Sequence, residues 1–197
     1  MGVIYVLLEI FVYSQALSNR QAEELRERIG YLFAASCALN TAWLFLWQFE
    51  YLVPSVAVMF LLLASLIAIY LRLGVATSEL PARIKIGFHV PFSIYLGWIT
   101  IATIANVAVT LVSINWDGFG ISPEAWAVTI IIIALLITEL VALTRKDIAF
   151  GLVVVWALLG IAVNQSKNQS IVAAAVVSAA MVAATFVAKI LHAKLRR

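Results

Sequence analysis

The sequence predicts an all-α, polytopic transmembrane helical bundle of about seven helices, and three observations carry that prediction. Of the 197 residues, 64% are hydrophobic and only 12% charged, where a soluble domain carries about 25% charged residues. The apolar residues come in runs of roughly 20, long enough at about 1.5 Å per residue to cross a hydrocarbon layer about 30 Å thick. The basic residues gather on every second connection between those runs.

Inside lipid the backbone must satisfy its own hydrogen bonds, so each run is expected to be a helix. The runs cover residues 2–17, 29–49, 53–73, 86–114, 123–144, 148–164 and 170–191. Their short connections make neighbouring helices antiparallel. Arg20, Arg26 and Arg28 follow the first run, and Arg72, Arg83 and Lys85 surround the loop after the third. Arg145 and Lys146 follow the fifth, and Lys189, Lys194, Arg196 and Arg197 close the seventh. Of the 13 basic residues only Lys167 lies on the other side. The positive-inside rule then places the Arg-rich loops and the C-terminus in the cytoplasm. With the basic residues beside membrane helices, the net charge of +3 points to no nucleic-acid partner.

The opposite side carries Trp43, Trp47, Trp116 and Trp126 near helix ends, as an interfacial aromatic belt would. Gly118 and Gly120 read as an exposed turn, and Ser122-Pro123-Glu124 as a helix start. Asn164 and Asn168 each open an Asn-Gln-Ser triplet, read as a polar turn rather than a glycosylation site. The Ala- and Ser-rich last helix reads as a packing helix. Ser18–Arg28, with six charges of both signs, reads as a solvated loop or helix extension. The first run is short for a crossing and lacks the basic leader of a signal peptide, so it is expected to be a helix cut at its outer end.

Polar residues inside lipid each need a partner. Ser36, Asn40, Trp43 and Trp47 are spaced four, three and four apart, and Tyr95, Trp98, Ala102 and Asn106 three, four and four. Each set therefore lies on one helical face. Two such faces turned together would line an aromatic pocket with a few hydrogen-bonding groups. They would equally serve as interhelical glue, with Trp43 and Trp47 as belt residues. Tyr5, Glu9 and Tyr13 form a further polar face, and a carboxyl at Glu9 is expected to point into the bundle. Glu139 is expected to be structural, Cys37 to be a small packing residue, and His89 to have no ligand partner, so that no metal site is expected. No nucleophile motif or phosphate loop can be assembled, and no catalytic residue is assigned. A retinal protein would need a lysine mid-helix, where the last run offers only Lys189.

Three short segments resemble a known family, the TspO/MBR proteins (tryptophan-rich sensory proteins and translocator proteins). Ala38-Leu39-Asn40-Thr41-Ala42-Trp43 resembles the family's Ala-Leu-Asn-x-Ala-Trp segment. Tyr95-Leu96-Gly97-Trp98, then Ala102-Thr103 and Asn106, resembles its last core helix, and Gly2 and Tyr5 fit its Trp-Gly-x-x-Tyr segment, with Met1 where the Trp would stand. The resemblance implies a TspO-like core over residues 1–114, lacking the family's first helix and the Trp-Pro loop that follows it. Residues 115–197 would then be three additional helices and a basic tail, as in longer prokaryotic members. A family Gln one turn before the motif Asn is Ser36 here.

The function this implies is a sensor or receptor-like protein binding a hydrophobic ligand, a porphyrin, haem-type or other tetrapyrrole, with no obligatory cofactor. Asn40, Trp43, Trp47, Tyr95, Trp98, Ala102 and Asn106 would line its site, with Tyr5 and Glu9 as a polar annex. Some family members are credited with tryptophan-dependent porphyrin breakdown, in which Trp98 would take part. Two other readings stand beside it: a transporter or permease subunit using Glu9, Glu139 and the amides, and a structural subunit of a larger membrane complex. The expected partners are the lipid bilayer, a hydrophobic small molecule and a second copy of the chain.

Overall fold

The computed structural model describes residues 2–16 and 20–195, with side chains as far as residue 192. Met1, Ser18, Arg196, Arg197 and the side chain of Lys194 lie outside the described residues. Within them the chain forms eight helices and no strand: α1 (Gly2–Gln15), α2 (Arg20–Ile29), α3 (Leu32–Gln48), α4 (Leu52–Arg72), α5 (Ala82–Ser113), α6 (Pro123–Arg145), α7 (Ile148–Asn164) and α8 (Gln169–Leu195). Seven are apolar and stand where the hydrophobic runs place them. Of these α4, α5, α6 and α8 are long and apolar enough to cross a membrane. A fifth span results if α2 and α3, bent by 53°, count as one. The remaining apolar helices, α1 and α7, reach about 21 and 26 Å at the usual rise. The chain is an integral membrane helical protein, divided into two compact units, Met1–Ser113 and Ile114–Arg197.

In the first unit α4 packs between α3 and α5, and α1 lies on α5. Helix α4 buries Ser55, Met59, Leu62, Leu66 and Ile69, spaced four, three, four and three, which is one continuous face. A second such face on α5 holds Phe92, Tyr95, Ile99, Thr103, Asn106 and Thr110. Near its start α5 contains a π-helical turn, Lys85–His89. The wider turn shifts the register of everything before it relative to the following face. It brings Gly87 against Ser14 of α1, where a Cβ would lie 2.3 Å from the Ser14 hydroxyl. Next to this contact Phe11 makes edge-to-face contacts with Phe33, Phe88 and Phe92 at 4.8, 5.5 and 4.8 Å, an aromatic knot joining α1, α3 and α5.

The charged segment after α1 is more ordered than the solvated loop or extension expected of it. It forms a separate amphipathic helix, α2, burying Ala22, Leu25 and Ile29. Apolar residues three and four apart were enough to give it an inner face. Its exposed ion pairs, Arg20–Glu24 and Glu23–Arg26 at 3.2 and 3.6 Å, contribute little. More specific are two arginines on helix ends: Arg26 donates to the Gln15 carbonyl and Arg72 to that of Arg28, each at 3.3 Å. Both satisfy carbonyls that a helix C-terminus leaves unpaired. Gly30, at φ +52°, ends α2 by donating its N–H to Arg26 and turns the chain into α3.

In the second unit α8 packs against both α6 and α7. The small residues expected to favour close approach are divided by face. Ala175, Ser178 and Ala179 are buried together with Val182 and Phe186, while Ala173 and Ala180 are exposed. Gly151 of α7 makes room for the Phe186 ring, which a Cβ would meet at 2.1 Å. Glu139 accepts a hydrogen bond from Thr185 at 3.1 Å, tying α6 to α8, and Lys189 donates to the Ala142 carbonyl one turn further on. Ser122, Asp147 and Asn168 cap α6, α7 and α8 through their side chains. In the loop before α6, the Trp126 indole donates to the Gly118 carbonyl at 2.8 Å and packs on Trp116.

Candidate ligand cleft

Helices α1, α3 and α5 enclose an open cleft of about 590 Å³. The first wall is α1, through Tyr5, Leu8, Glu9, Val12 and Tyr13; their spacing of three and four keeps them on one face. The second is α3, through Phe33, Cys37, Asn40 and Thr41, and Tyr95 of α5 completes the lining. The aromatic knot around Phe11 and Phe33 fixes the separation of the three helices at the edge of this cleft.

Four of the residues singled out in the sequence meet here: Tyr5, Glu9, Asn40 and Tyr95. Asn40 is 8% exposed, and its Oδ1 is buried without a hydrogen-bond partner. Glu9, expected to point into the bundle, is instead exposed on the cleft wall and forms no ion pair with any described residue. One turn beyond Asn40, the Trp43 indole N–H is likewise buried without a partner, and Trp43 lies against Trp47 with ring centroids 5.8 Å apart. Neither tryptophan is part of the cleft lining. Trp98 and Ala102 are half-buried on α5, away from that lining. Asn106 is 2% exposed and accepts from Ser55 at 3.1 Å, with Nδ2 left unpaired. The two polar stripes are therefore divided between a cleft and an interhelical contact.

The lining also contains residues that the sequence did not suggest for a site: Leu8, Val12, Phe33, Cys37 and Thr41. Cys37, expected to be a packing residue, is exposed on the cleft wall. A signal was present: Phe33, Cys37 and Thr41 repeat every four residues beside the Ser36–Asn40 stripe, and Asn40 borders both faces. Elsewhere in the unit, His89 is buried with Nε2 3.5 Å from the Ser78 hydroxyl. Among the described residues no cluster of three or more His, Cys, Asp or Glu could hold a metal ion.

At about 590 Å³ the cleft falls within the range of small-molecule pockets, about 300 to 1,000 Å³, and its lining mixes aromatic rings with hydroxyl, carboxyl, amide and thiol groups. A family model described as TSPO-like protein matches residues 1–188, spanning α1 to α7 and most of α8. The chain belongs to this family. No curated protein and no solved structure matches it. It is thus a membrane protein of the TspO kind, and the match runs through the second unit as well as the first.

Proposed function

We propose that this TSPO-like protein binds a hydrophobic small molecule, a porphyrin or related tetrapyrrole, in the cleft between α1, α3 and α5, and serves as a membrane sensor for it. The observation that carries this reading is Asn40. A buried amide oxygen left without a donor costs free energy, and here it belongs to a side chain on the wall of a cavity of ligand size. A rotation of this amide toward the cleft would let a bound molecule with an N–H or O–H group satisfy it. Tyr5, Phe33 and Tyr95 supply aromatic surface for a conjugated ring, and Leu8 and Val12 supply apolar contact. The positive-inside asymmetry of the sequence supports an orientation with the basic end of the helices in the cytoplasm, and the resemblance to longer prokaryotic family members supports a prokaryotic plasma membrane.

The test is a titration of the purified protein with protoporphyrin IX, read by porphyrin absorbance and tryptophan quenching. Saturable binding is expected, weakened about tenfold by Asn40→Leu or Tyr95→Ala, as loss of one buried contact of about 1.4 kcal/mol requires. Absence of saturable binding would overturn the sensor reading. Equal affinity of both variants with the parent would move the ligand out of this cleft.

A further inference from the structure

We infer that the cleft opens sideways into the bilayer, and that its occupant is an amphiphile drawn from the lipid phase between α1 and α3. The inference rests on the reading that the cleft takes a hydrophobic ligand, and adds where that ligand comes from. The rear of the cleft is buried, with Tyr95 3% and Asn40 8% exposed. Its two rims are open: Tyr5, Glu9, Val12 and Tyr13 along α1, and Cys37 and Thr41 along α3, are all exposed. Each rim follows a helix axis, so the mouth is a slot lying along two apolar helices rather than a funnel at one end of them.

The slot stops short of both ends of the unit. Past Thr41 no residue of α3 lines it, although the helix continues for seven residues to Gln48, about 10 Å at the usual rise. At the other end Phe33 belongs to the ring cluster that ties α1 to α3 and α5, and beyond it Arg26 of α2 holds the Gln15 carbonyl that ends α1. Hydroxyl, amide and carboxyl groups that face hydrocarbon cost free energy unless hydrogen-bonding groups meet them. A plain acyl chain leaves that cost in place. An amphiphile offsets it, resting an apolar body on Leu8, Val12 and Phe33 while its polar substituents meet the polar groups of the wall.

Cys37 reports on the opening, because it is the chain's single cysteine and lies on the α3 rim. The protein is labelled there with a bimane and reconstituted in phosphatidylcholine vesicles, and quenching by mid-chain nitroxide lipid is compared with quenching by aqueous iodide. Lys167→Cys in a Cys37→Ser background, exposed in the turn between α7 and α8, is the water-facing control. Nitroxide lipid should quench the Cys37 label, and iodide should quench it about tenfold less than the control, since entering hydrocarbon strips an ion of its hydration. Iodide quenching equal to the control would overturn the inference, as would a label that neither quencher reaches. In the same vesicles protoporphyrin IX should slow the modification of unlabelled Cys37 by N-ethylmaleimide. Protection together with iodide quenching overturns entry from lipid and leaves the ligand cleft standing; lipid quenching without protection overturns the ligand reading, and the inference with it.

Discussion

Ser55 and Asn106 are joined across α4 and α5, the serine hydroxyl 3.1 Å from Asn106 Oδ1 and shared with the Leu52 carbonyl at 2.7 Å. One turn further toward the same end, Thr110 donates to that carbonyl at 3.3 Å. An amide that the sequence aligns with Tyr95 on one face is thus engaged in holding two helices together.

Asn106→Ala is accordingly expected to lower thermal stability by about 1 kcal/mol, the scale of a single interhelical hydrogen bond in a membrane protein. Porphyrin affinity should change less than twofold. A melting curve in detergent and the protoporphyrin titration, measured on the same preparation, separate the two effects. A large loss of affinity with an unchanged melting temperature would place Asn106 in the site.

Gly87→Ala puts a methyl group where the Ser14 hydroxyl and Cβ now lie, at 2.3 and 2.7 Å from the new Cβ. Helices α1 and α5 must then separate, at a cost of about 1–3 kcal/mol for overpacking. Adding Ser14→Gly should recover most of the loss, because both offending atoms belong to that side chain. Additivity of the two substitutions in a double-mutant cycle would show that the contact is not limiting.

In the second unit, Gly151→Ala meets the Phe186 ring at 2.1 Å and is expected to destabilise by a similar amount, about 1–3 kcal/mol. Phe186→Leu in the same background should relieve it. Stability against urea or heat is the measurement, and a neutral Gly151→Ala would contradict the close approach of α7 and α8.

Thr185→Val preserves shape and removes the donor to Glu139. A loss of about 0.6–2 kcal/mol is expected. Glu139→Gln in the same protein should add less than it costs alone, since both changes break one bond. Full additivity would mean that Glu139 has its main partner elsewhere.

The positions of the seven apolar helices were legible because length and hydropathy in lipid are properties of each segment by itself. Glu9 and Tyr5 could be placed on one face by spacing alone, and Asn40 could be marked as needing a partner. What stood across from them could not be read. Cys37 and Thr41 lie beside Asn40 on α3 at a small angle, and periodicity does not tell which of two adjacent faces turns toward α1. Nor does it reveal the π-helical turn at Lys85–His89, a backbone feature with no residue signature of its own. Helix α2 was hidden for another reason: its three buried residues are outnumbered by six charges, and only packing against the rest of the unit gives the apolar face its worth.

By itself the sequence determined that this is a membrane bundle, which segments are its apolar helices, and which polar side chains are costly enough to require a role. Those follow from transfer free energies, which are local to each segment. The tertiary structure alone decided how the roles were shared: Asn40 on the wall of a cleft with Glu9 and Tyr95, Asn106 in a bond to Ser55, and Trp43 and Trp47 against each other. Polar groups in lipid are satisfied by whichever neighbour the packing brings within about 3 Å, and that neighbour is set by the rotation and separation of whole helices, fixed here by contacts such as Gly87 on Ser14 and the ring cluster around Phe11.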